Sequence, residues 1–176
     1  ATVAKQGLFA ELSKDGIVRN LGIKSSNVSM TTSRKINNAN AAILVGYNSG
    51  TILNCYVVGS SVTTNATATG KGGAICGNNN GGRIVNCFSR KNTITEKNKK
   101  GHIGGVCGYN TGSIEDCYAA EVALMSTNAA AKSVCGSESG STISNCYYLN
   151  TGKADNKAVP KTIDWFRSEE AITALG

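Results

Sequence analysis

The sequence predicts an all-β fold, a single parallel β-helix (a β-solenoid) of about five coils with a C-terminal cap. Three observations predict it. An apolar block carrying an Asn/Asp position recurs at Asn20, Asn54, Asn86, Asp116 and Asn145, in steps of 34, 32, 30 and 29 residues. A second apolar block precedes each of these. The 176 residues include 21 glycines and a single proline, Pro160, and the glycines lack the collagen period. Charged residues make up 16% of the chain and aromatics 6%, which is not the composition of a helical bundle. Patterned runs of Ile, Val, Ala and Cys argue against disorder. No apolar stretch approaches the ~18 residues of a membrane-spanning helix, and no signal peptide is visible at Ala1.

Taken in order, each unit opens on a short apolar strand. The copies are Gly7-Leu8-Phe9-Ala10, Ile43-Leu44-Val45-Gly46, Ala74-Ile75-Cys76-Gly77, Gly105-Val106-Cys107-Gly108 and Ser133-Val134-Cys135-Gly136. A turn follows at Gly16, Gly50, Gly82, Gly112 or Gly140. The second strand reads Ile17-Val18-Arg19-Asn20-Leu21, then Ile52-Leu53-Asn54-Cys55-Tyr56, Ile84-Val85-Asn86-Cys87-Phe88, Ile114-Glu115-Asp116-Cys117-Tyr118 and Ile143-Ser144-Asn145-Cys146-Tyr147. A variable tail then holds a third strand, rich in β-branched or alternating residues, at 27–30, 61–64, 92–95 and 121–124. Three short strands cannot close a core alone, but stacked units can, because each strand pairs with its copy above and below. The repeats fall at about 7–38, 42–71, 72–100, 103–131 and 132–150, within a solenoid over 1–154. Residues 155–176 read as the cap, with Trp165 and Phe166 over the last coil's open core edge. The first repeat is degenerate and residues 1–6 show no cap, so a fragment whose neighbour continues the stack is a live reading.

Corners between strands need left-handed or turn conformations, which suit glycine, Asn48, Asn110 and the Asn78-Asn79-Asn80 run. The Asn20/Asn54/Asn86/Asp116/Asn145 column has two readings, an amide ladder between coils or turn residues that each cap their own corner.

Gly104-Gly105-Val106-Cys107-Gly108-Tyr109-Asn110-Thr111-Gly112-Ser113-Ile114-Glu115-Asp116-Cys117-Tyr118 resembles the GLUG motif, named for a G-L-[any]-G element. Residues 44–56 resemble it equally, residues 73–88 and 134–147 less closely, and residues 7–21 least. The resemblance implies a non-catalytic, extracellular β-solenoid module of a bacterial surface or secreted protein. The repeat occurs in adhesin-like proteins and in IgA1-specific metallopeptidases. The catalytic part of those peptidases carries an H-E-x-x-H zinc motif. This chain has one histidine, His102, so no protease activity carries over.

Seven cysteines need an account. The odd count forbids complete pairing within the chain, and no C-x-x-C or zinc spacing occurs. Cys76, Cys107 and Cys135 share a column with Phe9 and Val45; Cys55, Cys87, Cys117 and Cys146 share one with Leu21. Positions that accept Phe, Val, Leu or Cys face inward, so the thiols read as small core hydrophobes, with disulfides or metal as the alternative. Tyr56, Phe88, Tyr118 and Tyr147 form an aromatic column beside the cysteines. It is either an outward platform for sugar rings or a set of rings packed at a corner. Arg90, Lys91, Lys97, Lys99 and Lys100 form a basic run, read as a polyanion patch or as a solvated loop. The net charge of +7 has the same two readings.

The acids are scattered, with no constellation for lyase or glycosidase chemistry, and no cofactor or metal is expected. The sequence therefore points to a non-enzymatic extracellular module. Its work is adhesion, or spacing and presenting other domains, with a surface glycan or glycoprotein and neighbouring domains as partners. No specific nucleic acid or membrane span is expected. The alternatives are a glycan-active enzyme on a β-helix scaffold or a purely structural stalk.

Overall fold

The structure is a computed structural model and describes residues 3–31, 38–66, 68–97, 100–126 and 130–175. It is a parallel β-solenoid. The first coil holds β1 (Val3–Gln6), β2 (Phe9–Leu12), β3 (Ile17–Arg19), β4 (Gly22–Lys24) and β5 (Asn27–Thr31). The second holds β6 (Asn38–Ala42), β7 (Val45–Asn48), β8 (Thr51–Leu53), β9 (Tyr56–Val58) and β10 (Ser61–Asn65). The third holds β11 (Thr69–Gly73), β12 (Cys76–Asn79), β13 (Arg83–Val85), β14 (Phe88–Arg90) and β15 (Thr93–Glu96). The fourth holds β16 (His102–Gly104), β17 (Cys107–Asn110), β18 (Ser113–Glu115), β19 (Tyr118–Ala120) and β20 (Ala123–Met125). The fifth coil is partial: β21 (Ala131–Lys132), β22 (Cys135–Glu138), β23 (Thr142–Ser144) and β24 (Tyr147–Leu149). There are thus four complete turns and most of a fifth.

Equivalent strands stack into five parallel sheets. Register follows the sequence columns: in the third sheet Val18, Ile52, Ile84, Ile114 and Ile143 are partners in turn. Ile52, Ile84 and Ile114 are fully buried there. The predicted first-block column also holds, with Phe9, Val45, Cys76, Cys107 and Cys135 in register.

Each complete coil has five strands, not the three expected. The second predicted strand is broken at its Asn/Asp position, where Asn20, Asn54, Asn86, Asp116 and Asn145 adopt φ between 49° and 56°. Five residues on, Ser25, Gly59, Lys91 and Glu121 make the same left-handed bend. A single such residue turns the chain from one three-residue strand into the next, and Asn and Asp tolerate this conformation best among non-glycines. The other added strand, in the first sheet, comes before the first apolar block. Asn48, Asn79 and Asn110, expected at turns, are strand residues with no left-handed φ.

The first and second sheets fold together so closely that one column is glycine in each of the second to fifth coils. A Cβ at Gly46, Gly77, Gly108 or Gly136 would lie 2.5–2.7 Å from a backbone nitrogen of the coil before. This close approach accounts for the glycine that ends the first block in the second to fifth coils; in the first coil, with no described coil before it, the position is Ala10.

Beyond the repeats, β25 (Val159–Lys161) adds to β24 at the edge of the fourth sheet. A 3-10 turn at Trp165–Arg167 and a short helix α1 (Glu169–Leu175) follow. Trp165 and Phe166 do not join the inner core cluster over the last coil. They lie against the outside ring column, Trp165 on Tyr147 and Phe166 on Tyr118.

Candidate functional site

The fourth sheet places the aromatic column on the flank of the solenoid. Cys55, Cys87, Cys117 and Cys146 follow the left-handed corner and turn inward, so the next residue of each coil turns outward. Tyr56, Phe88, Tyr118 and Tyr147 are all half-buried. Tyr56 and Phe88 stack with ring centroids 5.0 Å apart and planes 9° apart; Phe88 and Tyr118 stack at 4.9 Å and 4°. The ring spacing is that of the sheet itself. The Tyr56 ring also lies over Gly22, where a Cβ would strike it. The faces of these three rings are therefore turned to one another, and their edges point to the surroundings. Tyr147 leaves the stack to pair with Trp165, centroids 4.8 Å apart.

The basic run is divided by the fold. Arg90 ends β14 and Lys91 is the left-handed corner after it. Lys97 follows β15, at the far end of that strand, and Lys100 lies beyond it; both are exposed. Lys99 lies outside the described residues. Arg90 Nε donates to Glu121 Oε2 at 2.8 Å, one coil on.

All seven cysteines are free and buried. Cys55, Cys87 and Cys117 each point Sγ at the carbonyl oxygen two residues back, at 3.1–3.2 Å. The backbone N–H of Cys55 and of Cys87 donates to the thiol of the next coil, at 3.4 Å. Burial pushes the Cys107 and Cys117 thiols well above the usual range, and the Cys107 thiol, then burial, does the same to Cys135. Cys107, Cys117 and Cys135 are thus core side chains held as neutral thiols, which makes them poor nucleophiles and poor metal ligands; at Cys87 the Cys117 thiol, then the Cys55 thiol, pull the pKa down instead. Among the described residues no group of three His, Cys, Asp or Glu side chains comes together to hold a metal.

Amide ladders run along two columns. At the exposed corner, Asn54 Nδ2 donates to Asn20 Oδ1 at 3.2 Å, Asn86 Nδ2 to Asn54 Oδ1 at 2.9 Å, and Asn145 Nδ2 to Asp116 Oδ1 at 3.1 Å. Corner and ladder are thus the same residues. The second ladder is internal: Asn48 Nδ2 donates to Asn79 Oδ1, and Asn79 Nδ2 to Asn110 Oδ1, each at 2.7 Å. These three side chains are fully buried, and Asn48 and Asn110 also accept the N–H of Gly50 and Gly112.

One cluster went unseen in the sequence. Where the first sheet folds onto the second, Lys71 Nζ sits 4.4 Å above the Tyr109 ring and His102 lies 5.6 Å from it. Lys5 repeats the arrangement on Tyr47 at 4.3 Å and pairs with Glu11 at 2.6 Å. Burial lowers the pKa of Lys71; burial, then the Lys71 charge, lowers that of His102. The sequence signal for it is weak, because the first-sheet strands that carry Lys71 and His102 are short and glycine-rich and show no strand pattern.

The carboxylates are spread along the solenoid in separate structural roles. Glu11, Glu115, Glu121, Glu138 and Glu170 each face one lysine or arginine. Asp116 is a ladder rung, and Asp155 accepts the backbone N–H of Val134 and Cys135. Glu96 is buried and accepts the Thr64 hydroxyl. No described helix is long and apolar enough to cross a membrane.

With this geometry in view, the sequence profile of the GLUG motif matches residues 101–121, which span β16 to β19 and the corner after them. No curated protein and no solved structure matches the chain.

Proposed function

From the GLUG motif at residues 101–121 and the solenoid that repeats its pattern, we propose that this chain is a non-catalytic, extracellular module of a bacterial surface or secreted protein. Its work is adhesion, or spacing and presenting neighbouring domains. The observation that carries the reading is how the chain spends its polar and reactive groups. Amides bond to amides of the next coil, thiols face the core, and most carboxylates are bound to cations or backbone N–H groups. Such an arrangement builds a rigid rod with variable loops on its outside, the usual division between scaffold and recognition in repeat proteins.

The test is location and size. An antibody to this chain is used to blot surface, secreted and cytosolic fractions of the native cells. The expected signal is in the surface or secreted fraction. A signal confined to the cytosol would overturn the extracellular reading. Incubation of the purified chain with surface polysaccharides tests the other half, since release of new sugar products would overturn the non-catalytic reading.

A further inference from the structure

Between the C-terminal segment and the fourth sheet lies a cleft of about 180 Å³, lined by Arg90, Tyr118, Ala120, Ile163, Phe166 and Arg167. It exists because of two local features. The position in register with Arg90 and Val58 is Ala120 in the fourth coil, and a methyl group leaves room where its neighbours fill it. The Phe166 ring leans 46° from the Tyr118 ring, centroids 5.4 Å apart, so the two form an open wedge instead of a closed stack.

The wedge sets the apolar Ala120, Ile163 and Phe166 beside the cationic Arg90 and Arg167 and the Tyr118 hydroxyl. Arg90 is engaged by Glu121. The Arg167 side chain has no hydrogen-bonding or ionic partner among the described residues. Two guanidiniums and one carboxylate leave a single net positive charge. Burial raises the pKa of Tyr118, so its hydroxyl keeps its proton at neutral pH.

We propose that this cleft binds one hexuronate residue, a six-membered sugar ring bearing a single carboxylate. The carboxylate takes the forked guanidinium of Arg167, a planar bidentate match. One net positive charge suits a monoanion and under-compensates a phosphate dianion. The sugar's C–H face packs on Phe166 and Ile163, and its hydroxyls meet the Tyr118 hydroxyl. A neutral hexose leaves the Arg167 guanidinium without its anion. The assignment rests on the cleft alone and not on where the protein works, so its failure leaves the module reading to the fractionation test.

The experiment is an NMR titration of the full 176-residue chain with four probes: methyl glucuronide, methyl glucoside, inorganic phosphate and benzoate. The expected result is saturable shifts at Tyr118, Phe166 and the two arginine side chains with methyl glucuronide. Each other probe should bind about tenfold more weakly or worse, as loss of a charged hydrogen bond or of the sugar hydroxyls implies. Arg167→Gln should weaken glucuronide binding by about tenfold. Ala120→Val, which places in the fourth coil the residue the second coil has at that position, should abolish binding while leaving the thermal midpoint within a degree or two. No saturable shift with glucuronide, or equal binding of glucoside, phosphate or benzoate, overturns the assignment. So does glucuronide binding that survives Ala120→Val unchanged.

Discussion

Asp116 occupies a corner built for asparagine. Its φ of 53° matches those of Asn20, Asn54, Asn86 and Asn145, and it accepts the Asn145 amide as the column requires. A charged carboxylate has no proton to give to Asn86, so the ladder lacks that rung. Asp116→Asn is expected to add it and to raise stability by about 0.5–1 kcal/mol, the net worth of one hydrogen bond. The gain is read as a higher thermal midpoint at pH 7; an unchanged or lower midpoint would show that the exposed ladder contributes nothing. His102 supports a second prediction. Its Nδ1 is buried without a partner among the described residues, Lys71 and the Tyr109 ring face it, and its pKa is held below the ordinary value by burial and then by Lys71. The folded chain thus binds this proton less readily than the unfolded chain does. Stability from neutral His102 is complete above about pH 6.5 and declines as pH falls through the lowered folded value. As it is the sole histidine, His102→Gln should flatten urea midpoints measured from about pH 7 down to pH 5. Parallel decline in both proteins would assign the pH dependence to carboxylates instead.

At the scale of the element, the two amide ladders make a contrast. Asn79 is fully buried and joins Asn48 below to Asn110 above, and its Nδ2 also meets the Gly82 carbonyl at 3.0 Å. Asn79→Ala leaves several buried groups short of partners and should cost about 2–3 kcal/mol. Asn54→Gly removes two exposed rungs, to Asn20 and from Asn86, but keeps a residue suited to φ of 53°, so it should cost less than about 1 kcal/mol. Equal losses in chemical denaturation would mean that burial does not distinguish the ladders. The coil period, the inward thiol columns and the existence of a ring column beside them are legible in the sequence, because each recurs in three to five coils; whether the rings form an outward platform or pack at a corner is not. The sequence concealed the strand count. A bend made by one residue, as at Asn54 between Leu53 and Cys55, leaves the apolar run almost unbroken and reads as a single strand. The first-sheet strands were hidden for a different reason. Asn38–Ala42 and Thr69–Gly73 are made mainly of small residues, with Asn40 and Lys71 among them, so they lack the run of alternating β-branched residues that marks a strand. The nearness of Arg167 to Arg90 could not be read at all, since it depends on how a non-repeating segment folds back onto the flank.

For the whole molecule, the two ends of the stack differ, and the difference sets where it should open. At the fifth coil, the Ser133 N–H donates to the Lys153 carbonyl, Asp155 accepts the N–H groups of Val134 and Cys135 at 3.1 and 3.0 Å, and β25 pairs with β24. At the first coil, Leu8, Phe9 and Ile17 are 60%, 38% and 65% exposed, and an apolar cleft of about 330 Å³ opens beside Leu8, Ile23 and Val28. A solenoid's stability is close to a sum over neighbouring coils, so a coil with one neighbour and an open core edge is held least. Native-state amide exchange should therefore be fastest in β1 to β5 and slowest in β11 to β15, with β21 to β24 between them. Local opening at the first coil exposes no thiol there, because the cysteines begin at Cys55 and all seven are buried. A thiol reagent should accordingly label the native chain slowly while the first-coil amides exchange quickly, and should count seven thiols once the chain is unfolded. The two readouts test separate parts of the argument. Amides of β11 to β15 that exchange as fast as those of β1 to β5 would sink the one-sided opening. A count of five or fewer on unfolding would mean that thiols of adjacent coils pair, and the columns would then be cross-links between coils instead of packing.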